Sequence, residues 1–242
     1  MSNSGAQRVR WTDAGDLPWQ ETGLDGLAAK VLVPPSSGGA YVGFTRFSRG
    51  AEIPRHRHEG DEFLYVVEGA VEDDGGTLSR GWTSYRPVGC THSVVSPNGA
   101  VVFVVVTGTS VPASTAEEDG GSMPLAPTSV VMSGAPGTGV SEAELCSVPA
   151  TGGGVARRAR LLRVAAGAAV DLPPDESERV CLIVEGSLVD ADGAGPFLGP
   201  FWFRRLLPSQ AASAVAGRDA TLILVEWTDR PAGIVTGGPQ GW

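Results

Sequence analysis

Short runs of apolar, β-branched and aromatic residues recur along the chain, each closed by Gly, Pro, Asn or Asp. In the first half they are YVGFTRF from Tyr41, EFLYVVEG from Glu62, WTSYRP from Trp82, HSVV from His92 and AVVFVVV from Ala100. Runs of this length and composition, bounded by turn formers, predict strands. Asp74-Gly75-Gly76 supplies turn chemistry between two of them. No stretch carries a sustained helical period, so the chain is predicted to be all-β. The N-terminal LPWQETGLDGLAAK predicts either a short helix or a lead-in strand.

The pattern breaks near Gly108, where GTSVPASTAEEDGGSMPLAPTS is polar, small and rich in Pro and Gly. Such a stretch predicts a linker or a long surface connection. Strand-like runs then return in ARLLRVAAGAAV, RVCLIVEGSLVD, FWFRRLL and ATLILVEW. The predicted division is a first domain over 1–112, a linker with connecting strands over 113–145, and a second domain over 146–242.

The two halves resemble each other. GAEIPRHRHEGDEFLYVVEG, from Gly50 to Gly69, lies without a gap over GAAVDLPPDESERVCLIVEG, from Gly167 to Gly186. One inserted residue then brings Gly81 over Gly199, Tyr85-Arg86 over Phe203-Arg204 and His92 over Gln210; VVFVVV falls over TLILVE. This reads as an internal duplication of a domain-sized unit.

The duplication isolates the chain's histidines. All three, His56, His58 and His92, fall in the first copy, and Glu62 follows His58 by four residues. Their counterparts are Pro173, Asp175 and Gln210, and Arg179 stands at the place of Glu62. The second copy keeps the apolar and glycine pattern without them, so the fold does not require them. Imidazole with a carboxylate is a common transition-metal donor set. On a strand, residues i and i+2 share a face, so His56 and His58 point together. The charged residues Asp175, Glu176, Glu178 and Arg179 read as a solvated loop.

Composition narrows the function. A net charge of -9 argues against a nucleic-acid partner. The one basic run, RRARLLR with Arg157, Arg158, Arg160 and Arg163, reads as a strand with a solvated face. The start of the chain shows no secretory signal, and no apolar run is long enough to span a bilayer as a helix, so no membrane association is expected. Three scattered cysteines, Cys90, Cys146 and Cys181, suit reduced thiols in a cytoplasm. Cys90 reads as small, buried and inert, and no catalytic acid or base stands out among Tyr41, Arg46, Tyr65 and Tyr85.

The spacing supports a resemblance. Gly50, five residues, His56, one, His58, three, Glu62, six, Gly69 is similar to the first cupin motif. Gly81, five residues, Pro87, one, Gly89, two, His92 is similar to the second, with Ser96 where that motif ends in Asn. With Trp19 and the YRPVGCTH run, the first half resembles cupins of the ChrR anti-sigma factors and of ketone-cleaving dioxygenases. The resemblance implies two tandem double-stranded β-helix (jelly-roll) barrels. It also implies one divalent metal per chain, held by His56, His58, Glu62 and His92, with the lone histidine arriving from a strand across the barrel. Relatives with three-histidine sites exist, which leaves Glu62 a second role as a group that orients a ligand.

The expected metal is Fe(II), with Zn, Ni and Mn as alternatives, and the expected reaction is dioxygenation of a small enolisable ketone, diketone or hydroxylated aromatic. The alternatives are a non-redox cyclase, isomerase or dehydratase in natural-product metabolism, and a zinc-binding ChrR-like regulator. The zinc-binding N-terminal domain of ChrR is not expected here. The second half is expected to pack against the first or to form a homodimer.

Overall fold

The computed structural model describes residues 10–34, 41–114, 121–149, 155–191 and 197–228. Its strands in the first part of the chain are β1 (Thr12–Asp13), β2 (Gln20–Glu21), β3 (Leu27–Val33), β4 (Tyr41–Phe47), β5 (Ala51–His58) and β6 (Glu62–Asp73). They continue with β7 (Gly76–Ser79), β8 (Thr83–Arg86), β9 (Thr91–Ser96), β10 (Ala100–Val106), β11 (Ser110–Pro112) and β12 (Met123–Leu125). The later strands are β13 (Val140–Pro149), β14 (Val155–Val164), β15 (Ala169–Leu172), β16 (Glu178–Asp190), β17 (Trp202–Leu206) and β18 (Ala212–Trp227). Two short 3-10 turns, Ala14–Asp16 and Pro127–Ser129, complete the described elements. The fold is all-β. The N-terminal lead-in forms strands β2 and β3.

The chain forms two compact units, one spanning Leu17–Val131 and the other Met132–Thr228 with the N-terminal residues through Asp16. The N-terminal residues join the later unit because β1 pairs with β17. In the first unit β10 runs between β4 and β6, and β6 also carries β7 and β8. In the second unit β18 runs between β14 and β16, and β16 carries β17. Each unit has its own apolar core, built around Leu64, Val66, Val102 and Val104 in the first and Ile183, Leu188, Leu222 and Leu224 in the second.

Gly69 and Gly186 mark equivalent points. Both have positive φ, 70° and 79°. A Cβ on Gly69 would lie 2.1 Å from the Gly99 carbonyl oxygen, and one on Gly186 would lie 1.9 Å from that of Asp219. Only glycine fits such a close backbone crossing.

One stretch differs from its sequence reading, and another forms the expected strand but with a buried partner for its arginines. The polar segment after Gly108 contributes β11, which pairs with the edge of β5 so that Ser110 lies opposite His58 and Pro112 opposite His56. It covers an edge that would otherwise be open. The run RRARLLR lies in β14, where Arg158 and Arg160 turn to the same face as Leu162 and hydrogen-bond the buried Glu226.

Candidate metal centre

The site is built on β5 and β9. These strands are antiparallel neighbours, and His56 lies directly opposite His92. The lone histidine therefore comes from the adjacent strand, not from across a barrel. On β5 the inward residues are first Ala51 and Ile53, then His56 and His58. A register shift between Ile53 and His56 changes the parity. This is the work of a β-bulge, which re-aims the side chains that follow it. The turn before β9 is closed by the Cys90 amide donating to the Pro87 carbonyl at 3.0 Å, with Gly89 at φ 86°.

The three imidazoles converge. His56 Nε2 lies 3.2 Å from His58 Nε2, which lies 2.9 Å from His92 Nε2. All three residues are buried. Two nitrogens bound about 2.1 Å from one ion at right angles stand about 3.0 Å apart, so these separations suit ligands of a single divalent metal. The protonation pattern agrees. His56 Nδ1 meets the Pro54 carbonyl at 3.0 Å. A carbonyl only accepts, so Nδ1 carries the proton and Nε2 presents a lone pair to the centre. Burial, aided by the neighbouring His92, pushes His56 down to about 4, and burial likewise lowers His58. Both are neutral donors at pH 7. The three histidines form a group that could hold a metal ion.

Glu62 is nearby but engaged elsewhere. It opens β6, and its cross-strand neighbour is Arg86 of β8. Arg86 is fully buried and donates through Nη1 to Glu62 Oε2 at 2.7 Å and through Nη2 to Asp73 Oδ2 at 2.5 Å. Burial would raise the Glu62 carboxyl, yet the Arg86 guanidinium and the imidazoles hold it down at about 2. Asp73 is held at about 2 against its own burial by His92 and Arg86. Glu62 Oε2 stands 3.8 Å from His58 Nε2 and lies outside the convergent histidine group. Asp73 Oδ2 stands 3.8 Å from His92 Nδ1, a nitrogen with no hydrogen-bond partner. A carboxylate at that ring position is the usual support of a metal-binding histidine. Sequence reasoning missed both Arg86 and Asp73. The available signal was parity, since Arg86 ends a strand inside the second motif.

A small cavity adjoins the histidines. Its walls are Phe47, Ile53, Leu64, Val94, Val102 and Val104, with Thr45 as a polar addition beside His56, His92 and Glu62. No arginine or lysine is among these lining residues. Cys90 is fully buried. Ser96 donates its hydroxyl to the Ala70 carbonyl at 2.7 Å, away from the site.

Residues 7–111 match the family profile of the ChrR cupin-like domain. The match spans less than half of the chain and covers the histidines and Glu62. No curated protein matches the sequence. Among solved structures the fold resembles a candidate dioxygenase from Nostoc punctiforme, at 11% identity over 96% of this chain and 86% of that one, with a TM-score of 0.73. It also resembles YlbA from E. coli, at 16% identity over 95% and 97% of the two chains, TM-score 0.69. A third is salicylate 1,2-dioxygenase from Pseudaminobacter salicylatoxidans, at 17% identity over 78% and 71%, TM-score 0.62. That enzyme is also known as adducts with gentisate. At these identities the likeness is one of fold.

Strand pairing corrects the alignment of the second copy. The offset between copies is 117 through Gly186 but 120 beyond it, because Val94 and Ala214 occupy matching registers opposite Ile53 and Val170. His92 thus has Ala212, not Gln210, as its counterpart, Arg86 has Leu206, and Arg204 matches Ser84. None of these is a metal ligand. Arg179 does replace Glu62, but it is buried, not part of a solvated loop.

Proposed function

We propose that the chain is a non-haem Fe(II) dioxygenase acting on a small, uncharged enolisable ketone or 1,3-diketone. One observation carries the reading: three imidazole nitrogens meet at ligand separation beside an apolar cavity. His56, His58 and His92 would hold the ion. A bound divalent metal supplies Lewis acidity and, if it is iron, redox chemistry with O2. Glu62 stays with Arg86 and offers its free carboxylate edge as an acceptor to the substrate's enol hydroxyl. The apolar walls exclude water and favour a substrate with hydrocarbon arms.

The same walls set the substrate's charge. Arg86 lies beside the histidines through Glu62, and both of its terminal nitrogens are bonded to carboxylates. A carboxylated aromatic such as salicylate or gentisate would find no cation among the described lining residues, and burying an unpaired carboxylate is costly. The test is anaerobic purification, reconstitution with Fe(II), and oxygen uptake with β-diketones, hydroxyacetophenones, salicylate and gentisate. The proposal expects uptake with the uncharged compounds and little with the two acids. Stoichiometric zinc and no uptake would replace it with Lewis-acid cyclisation, isomerisation or dehydration, chemistry that three histidines on zinc also support.

The proposal extends to architecture. We take the second unit as a cupin barrel that has lost its metal ligands, and the protein as a cytoplasmic homodimer. Sedimentation of the purified protein tests the dimer directly.

A further inference from the structure

The interior end of the second unit has been rebuilt around arginine. Arg158 and Arg160 of β14, Arg179 of β16 and Arg204 of β17 all lie on the face that carries the core residues Leu162, Cys181 and Leu206. The buried Glu226 answers two of them: it accepts from Arg158 Nε at 2.9 Å, and from Arg160 Nε and Nη2 at 3.1 Å each. Arg179 and Arg204 are left to weaker partners. Arg179 donates Nη2 to the Gln210 carbonyl at 2.6 Å, a neutral acceptor. Arg204 Nη1 reaches Asp190 only at 3.5 Å, and its guanidinium lies over Trp11.

These two arginines are close neighbours. Cys181 is the cross-strand partner of Arg204, and Arg179 is two residues before it on the same face. Diagonal neighbours on a ladder are about 7 Å apart, within reach of two long side chains. The relative exposures are 2% for Arg179 and 8% for Arg204. Their Nε atoms have no hydrogen-bond partner, nor does the buried Trp11 Nε1. Two like charges buried side by side, with three unsatisfied donors, are costly unless an anion lies among them. Among the described residues no carboxylate hydrogen-bonds both of them. Burial pushes the Cys181 thiol up to about 12 despite the arginines around it, so it stays neutral. Asp175 acts on Arg179 from the loop before β16, with Oδ1 taken by the Ser177 amide.

We propose that the second unit binds a small carboxylate between Arg179 and Arg204, with the Trp11 indole N–H as a further donor. Arginine's planar fork matches a carboxylate, and an indole N–H only donates. The contrast with the first unit explains the difference in chemistry. There an acid, Glu62, faces the buried arginine and neutralises it; here the same place holds Arg179. The inference stands apart from the proposed oxygenase reaction, since it uses none of the three histidines.

The probe is sodium acetate, titrated at constant ionic strength against sodium chloride into the full chain, with the thermal midpoint and the 13C signal of labelled acetate as readouts. The expected result is saturable stabilisation by acetate beyond that by chloride, with matching saturable broadening of the acetate signal. Arg179→Met is expected to weaken acetate at least tenfold, and to be more stable than the natural chain when acetate is absent. Trp11→Phe keeps both arginines and is expected to weaken acetate by roughly fivefold, the worth of one hydrogen bond. It serves should Arg179→Met fail to fold. His56→Ala should leave acetate binding unchanged. Equal, unsaturable effects of acetate and chloride, or acetate binding indifferent to both substitutions, would overturn the proposal.

Discussion

Arg86 decides what Glu62 can do. A lone glutamate four residues after an HxH pair reads as a ligand. In the folded chain its carboxylate is bonded to a fully buried guanidinium shared with Asp73. Arg86→Met leaves two buried carboxylates without their cation and should cost about 3–5 kcal/mol, read from the denaturant midpoint. Arg86→Lys should recover only part of this, because an ammonium cannot span both acids as a planar fork does. Glu62→Gln, by contrast, should retain metal, as measured by metal content after dialysis. The histidines set the acid limit. Their folded pKa values, about 4 for His56 and lowered for His58, lie below the ordinary value of about 6.5. The unfolded chain therefore binds more protons between those values. Stability of the metal-free protein is full above about pH 6.5 and falls as pH drops toward about 4. Glu62 and Asp73, both held at about 2, continue that loss below the ordinary carboxylate range. A thermal midpoint that stayed flat from pH 7 to pH 4 would contradict this. Histidine spacing was legible because strand geometry fixes which residues share a face. The Arg86 bridge was not, because it depends on the register between β6 and β8.

At the scale of elements, apolar runs closed by turn formers located the strands well, since a period of two and a glycine stop are local properties. What escaped was non-local pairing. The segment after Gly108 has a linker's composition, yet β11 docks on β5 because that edge needs hydrogen bonds. The register shift between Ile53 and His56 left only Pro54 as a trace in the sequence. Pairing also moved the second copy's alignment by two residues, which composition could not show. The glycines at the two Val-Glu-Gly ends were legible and prove sterically demanding. Gly69→Ala and Gly186→Ala should each cost more than about 2 kcal/mol, from positive φ combined with backbone overlap. Thermal unfolding of each variant measures it, and a neutral effect at either site would show that the crossing relaxes.

At the scale of the whole molecule, one pairing plan is used with opposite chemistry. The first unit gathers histidines and cancels its buried arginine with two acids; the second gathers arginines and leaves two of them short of acid. The likeness of the two halves was visible in the sequence, and so was the absence of histidine from the second. The direction of change at its interior was not, because RRARLLR and the residues around Arg179 look like surface when read without their partners. The central claim is that the three histidines of the first unit form one metal site. Metal content per chain, measured on the natural protein and on His92→Ala after anaerobic purification, tests it most directly. The account predicts one equivalent of divalent metal in the natural chain, lost in His92→Ala while the circular dichroism stays unchanged. Full retention of metal by His92→Ala would contradict it.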